Sequence, residues 1–292
     1  WFEFKKYYWV GSVSESWIDV GNWARQATGS GKFATAPPSD NAELEIYITE
    51  NATKKLSINN EIKAKLIENA AEKSVELNAN ATIQTIKNAG TIFINSGILI
   101  AENYVPTSDK INIKEGATLS ITNDATISTL TFVKTNDNLD DFAKLEGNLS
   151  VTNATYNNAD IQTKGNITLP KTTVTTNEIG NLNVASGTTS IETINANSIS
   201  VETSASLKVS SSITSQSIAN NGSINGLASI STKGLENSGV IEIKGNFTCD
   251  GVVNSSGTLK AKEIKLGNSS TEDTVTIGKK EKENILSHKT TK

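Results

Sequence analysis

The stretch "ASLKVSSSITSQSIANNGSINGLASISTKGLENSGVIEIKGNFTCDGVVNSSGTLKAKEI", residues 205–264, decides the fold. Small residues open its apparent strands at Ala205, Gly222, Gly239 and Gly257, and Gly187 precedes them, at intervals of 18, 17, 17 and 18 residues. Two positions further on stand Thr189, Leu207, Ile224, Ile241 and Leu259. A second column holds Ile194, Ile213, Ile230, Phe247 and Ile264, and a third holds Ile199, Ile218, Leu235 and Val252. Three apolar columns recurring every 17–19 residues imply three short strands per turn, each turn stacking like residue on like residue. The expected fold is all-β: a right-handed parallel β-helix, or β-solenoid.

Outside this stretch the pattern persists. "AELEIYIT" (42–49) alternates Leu44, Ile46 and Ile48 with Glu43, Glu45 and Tyr47, the period of a half-buried strand. Short runs such as "TIFINSGILI", "GNLSVTN" and "GNITL" follow, bounded by Asn and Gly turn residues. "EIKAKLIENAAEK" (61–73) has some helical spacing, but strands are the preferred reading there. At this period residues 42–277 hold about 12 to 13 turns, rising about 4.8 Å each to roughly 60 Å. So narrow an interior suits β-branched aliphatics, with Thr, Ser and Asn at corners and outside.

Three of the four tryptophans lie in "YYWVGSVSESWIDVGNW" (7–23), and the other is Trp1. An indole does not fit a slender tube, but a solenoid's first turn exposes strand edges and a slice of core. Trp9, Trp17 and Trp23 are therefore expected to pack as a lid, and residues 1–41 are read as an N-terminal cap. Pro37 and Pro38, with Ser39 and Asp40, would form a stiff turn into the first strand. The solenoid is assigned to 42–277. The charged segment 278–292 is read as a polar tail, at which a longer parent chain is cut. The absence of methionine points the same way, to a removed leader or a fragment.

Composition narrows the chemistry. A net charge of −4 with intermixed lysines and acids disfavours nucleic acid as a partner. No apolar run is long enough for membrane insertion by this segment. The single cysteine, Cys249, cannot form an internal disulfide and shares a column with Ala196, Ser215, Thr232 and Leu266, as a small buried residue would. His288 falls in the polar tail. Parallel β-helices also house polysaccharide lyases and hydrolases, which need basic residues, calcium or paired carboxylates. The best acidic cluster, Asp137, Asp140 and Asp141 in "TNDNLDDF", breaks the repeat. It reads as a solvated loop or, less well, as a calcium site, since its spacing is not that of an EF-hand. No catalytic residue and no cofactor is expected. Tyr7, Tyr8 and the tryptophans offer a sugar-stacking surface as the alternative to packing.

The motif Trp9-Val10-Gly11, then S-x-S-W-x-D-x-x-N-W from Ser14 to Trp23, then P-x-D at Pro38 to Asp40, resembles the opening of bacterial surface-exposed β-helix proteins of the adhesin or autotransporter-passenger kind. The chain departs from that pattern in the insertion "ARQATGSGKFATAP" before the prolines. The resemblance implies export, display at the bacterial cell surface, and attachment to an unidentified host or neighbouring-cell protein or glycan. The competing expectation is a polysaccharide-binding or polysaccharide-degrading β-helix.

Overall fold

The computed structural model describes residues 6–26, 28, 34, 36–38, 43–135, 141–172, 178–267 and 275–277. They form a parallel β-solenoid of about 11 turns, with about 19 residues per turn. Among the described residues there is no α-helix, and the segment 61–73 supplies the strand Ile62–Asn69. The count falls below the 12 to 13 expected because some turns are longer than the repeat. Thr118 pairs with Lys144 and Ile161 with Leu182, whereas Ser223 pairs with Val240.

The chain divides into two compact units, Trp1–Thr155 and Tyr156–Lys292. In the first unit three ladders of parallel strands run from turn to turn. One stacks Lys6–Trp9 on Glu45–Ile48 and then on 66–69, 85–88 and 103–106. A second stacks Leu56–Ile58, Ser74–Leu77, Thr91–Ile94, Lys110–Lys114 and 129–133. The third stacks 62–64, 81–83, 99–101 and 119–121. Strands of four residues alternate inward and outward, as in Thr91–Ile94, where Ile92 and Ile94 are buried.

The second unit repeats the scheme with shorter turns. Leu207 pairs with Ile224, Ile224 with Ile241 and Ile241 with Leu259, while Thr189 pairs with Leu207. Ile194 lies against Ile213, Ile213 against Ile230, Ile230 against Phe247, and Phe247 against Ile264. From Ile194 to Phe247 this second column is at most 1% exposed. Each such side chain contributes about 1.5–3 kcal/mol through burial. Ile264 and Leu259, in the last described turn, are only half-buried.

The third column needs one correction. Leu235 pairs with Val253, not Val252, and Val252 is 51% exposed. The turn from Cys249 to the next strand holds one residue more than its predecessor, which turns Val252 outward; its carbonyl accepts the Leu235 amide. The glycines that open the strands are there for clearance. A Cβ on Gly239 would lie 2.1 Å from the Gly222 carbonyl oxygen, and one on Gly257 the same distance from that of Gly239. Corners stacked this closely leave no room for a side chain.

Candidate functional site

The N-terminal segment is built around its tryptophans. Trp9 and Trp23 are fully buried and Trp17 is nearly so. Trp23 meets Trp9 edge-on at 4.9 Å between ring centres, Trp17 at 5.0 Å and Tyr7 at 6.0 Å. Such contacts add about 0.5–1.5 kcal/mol each to the area buried. The indole N–H of each of these three is satisfied by a carbonyl: Trp9 donates to Lys54 at 2.9 Å, Trp17 to Pro38 at 3.2 Å and Trp23 to Trp17 at 2.8 Å.

The polar letters of the motif hold the loop between the indoles. Asn22, with no exposure, accepts the backbone N–H groups of Val13 and Ser14 on Oδ1, at 2.8 and 2.9 Å. Its Nδ2 donates to Ser14 Oγ and to the Ser16 carbonyl. Ser14 Oγ donates to Asp19 Oδ2, and Asp19 Oδ1 accepts from Gly21 N at the start of the 3-10 turn Val20–Asn22. Gly11 has φ +56°, and a Cβ there would lie 3.0 Å from the Lys54 carbonyl and from the Trp9 indole nitrogen. Glycine is the residue that fits both demands.

This segment also closes one of the parallel ladders. Lys6–Trp9 pairs in parallel with Glu45–Ile48 on one edge and antiparallel with Trp23–Ala24 on the other. Ser16 bridges to Ser57 at the head of the second ladder. Outward-facing charges tie the same segment to the first turns. Glu45 Oε2 accepts the Tyr47 hydroxyl at 2.8 Å, and Lys6 and Lys65 stand 3.4 and 3.6 Å from the carboxylate. Burial alone would raise the Glu45 pKa, but these neighbours outweigh it and hold the carboxyl below its ordinary value. Glu76 is similar: burial pushes it up, while Lys55, Asn95 and Ser57 together bring it down. Lys55 reaches Glu76 at 2.7 Å and Glu15 at 3.5 Å. The Tyr8 and Tyr47 rings stack at 5.0 Å on the same outward face, a pair not singled out from the sequence.

In the second unit one outward row is mostly hydroxyls and amides, while another, Lys208, Asn225, Glu242 and Lys260, is largely charged. Asn195, Thr214, Ser231, Thr248 and Lys265 follow one another in register. An open cleft of about 420 Å³ lies over Ser198, Ser200, Ser217, Glu236 and Asn254. Another of about 550 Å³ is bordered by Leu227, Glu242, Lys244, Lys260 and Lys262.

Of the acidic cluster, Asp137 and Asp140 lie outside the described residues, and Asp141 is half-buried beside the strand Ala143–Thr155. Among the described residues no three His, Cys, Asp or Glu side chains are grouped to hold a metal ion. Cys249 is buried beneath Thr232, its thiol 3.8 Å from the Gly251 carbonyl. His288 lies outside the described residues. Among those described, no helix is long and apolar enough to cross a membrane. What the column reading missed was polar: the interior pairs Asn69–Asn88, 19 residues apart, and Asn220–Asn237, 17 apart. Asparagine recurring at the turn spacing was the available signal. The chain matches no family model, no curated protein and no solved structure at a significant level.

Proposed function

We propose that this chain is a non-catalytic, exported β-solenoid displayed at a bacterial cell surface, where its lateral faces attach to a protein or glycan of a host or neighbouring cell. The observation that carries the reading is the outward row Asn195–Thr214–Ser231–Thr248, short hydrogen-bonding side chains held one strand apart over several turns. A rigid surface of this kind gives many weak contacts to a hydroxylated or peptide surface, and repetition of such contacts gains by avidity. The tryptophan segment supports the reading as a lid: it supplies an antiparallel partner to the first parallel strand, which blocks edge-to-edge growth.

The test joins localisation to binding. Protease treatment of intact producing cells is expected to remove the protein from their surface, and the purified chain is expected to coat host or neighbouring cells saturably. Recovery from the cytosol alone, or no binding to any cell or glycan surface, overturns the proposal. The cleft over Ser198, Ser217 and Glu236 favours a second reading, glycan binding or cleavage. Shortening of a polysaccharide by the purified chain, abolished by Glu236→Gln, would replace the first reading with the second.

A further inference from the structure

We propose that the interior asparagine ladders, rather than the aliphatic columns, decide which strand registers on which from turn to turn. The aliphatic columns discriminate poorly. Leu207, Ile224 and Ile241 are of similar size and share one environment, so a strand that slides by two residues keeps an apolar face inward. A buried asparagine has no such freedom, because its amide must meet particular atoms in the following turn.

Asn220 Nδ2 donates to Asn237 Oδ1 at 2.8 Å and to the Val240 carbonyl at 3.2 Å. Asn237 Nδ2 donates in turn to Ser255 Oγ at 3.0 Å and to the Thr258 carbonyl at 3.1 Å. In the first unit Asn69 Nδ2 donates to Asn88 Oδ1 at 2.9 Å, and Asn88 Nδ2 to the Tyr104 hydroxyl at 3.1 Å. That hydroxyl donates onward to the buried Asp109 carboxylate at 2.6 Å. All four asparagines are at most 3% exposed.

Both ladders have the same polarity. Each amide donates toward the following turn, and each ladder reaches a hydroxyl, Ser255 or Tyr104. At each head an acceptor is left over: Asn69 Oδ1 and Asn220 Oδ1 are buried without a partner. The residues in register above them are Ile48 and Val201, neither of which carries a side-chain donor. Flipping either head amide would put an oxygen against carbonyl oxygens, so the polarity is fixed by its surroundings. A two-residue slide would separate every rung at once and bury several unpaired groups. That penalty is what the aliphatic columns cannot supply.

Disulfide trapping tests this in a Cys249→Ala background. Ala219 and Glu236 are register partners on the outward face, so Ala219→Cys with Glu236→Cys reports the native pairing. Ser217→Cys with Glu236→Cys reports a strand slid by two residues; in the native register, strand spacing and rise put its Cα atoms about 8 Å apart, beyond the ~7 Å that a disulfide spans. With the ladder intact only the first pair closes. In the apolar replacement Asn220→Leu with Asn237→Leu, the slid pair is expected to close at least about tenfold more than with the ladder intact. Closure of the native pair alone in that folded variant overturns the proposal.

If the double variant does not fold, the orphan acceptor provides the decision. Val201→Thr places a hydroxyl where it can donate to Asn220 Oδ1, as Ser255 lies within reach of Asn237 at the other end. Val209→Thr is the control, since its register partners Ile191 and Gly226 have no side-chain acceptor. The unfolding constant is expected to stay within about threefold of the unsubstituted chain for Val201→Thr and to rise about tenfold or more for Val209→Thr. Equal losses at the two positions overturn the proposal.

Discussion

Residues 6–135 and residues 179–267 follow one rule inside and different rules outside. Both stack Ile, Leu and Val in columns, and both carry a buried asparagine ladder. Outside, the first region is charged and aromatic: Lys6, Glu45 and Lys65 lie together, Tyr8 stacks on Tyr47, and Glu76 gathers Lys55, Ser57 and Asn95. The second region has fewer aromatics: one outward row is Asn195, Thr214, Ser231 and Thr248, another pairs Glu242 with Lys260, and its rungs step by 17 residues at Asn220–Asn237 where the first steps by 19 at Asn69–Asn88. Tighter corners explain its glycine column. The lesson is that the interior of a solenoid constrains side chains by burial and, at the asparagine ladders, by hydrogen bonding, while the exterior is free to be specialised turn by turn.

The largest effect that could break this comparison is at the tryptophans. Trp23→Ala removes a fully buried ring that meets Trp9, Trp17 and Tyr7, and should cost about 3–5 kcal/mol in urea unfolding. Hydrogen exchange should place the loss in the first region: amides of 45–94 lose protection while those of 207–249 keep theirs. Equal loss in both regions would mean that the tryptophan cluster is not a local device.

A contrast within the second region should be nearly as large. Ile230→Ala, in the core column, should cost about 2–5 kcal/mol, while its outward neighbour Ser231→Ala should stay within about 0.5 kcal/mol. Similar losses from the two would refute the assignment of inside and outside in these shorter turns.

The smallest effect is electrostatic and concerns Glu76 in the first region. The Glu76 pKa is lower in the folded chain than its ordinary 4.5, so ionisation favours folding. Its contribution is fully present above the unfolded value and is lost as pH falls through the lower folded value. Solvent screening limits the effect to below about 1 kcal/mol. Glu76→Gln should therefore reduce stability slightly at pH 7 and flatten its decline below pH 4.5. A decline identical to that of the unsubstituted chain would show that the Lys55 contact contributes nothing.

The repeat of Ile213, Ile230 and Phe247 was legible because a parallel ladder puts each residue directly over its counterpart one turn earlier, so spatial contact appears as sequence period. That mapping fails where a corner gains a residue. Val252 occupies the right place by counting and the wrong one by geometry, and only the backbone path decides for Val253. The tryptophan motif was legible as bulk needing burial, but not as a hydrogen-bonded loop in which Asn22 and Ser14 share partners.

The sequence by itself determined the solenoid, its strand count per turn and its aliphatic interior, because burial is periodic and periodicity survives in one dimension. The tertiary structure alone decided the antiparallel closure of the first strand, the outward charge clusters and the polarity of the asparagine ladders. Those depend on which way individual donors and acceptors point, a property that spacing does not encode.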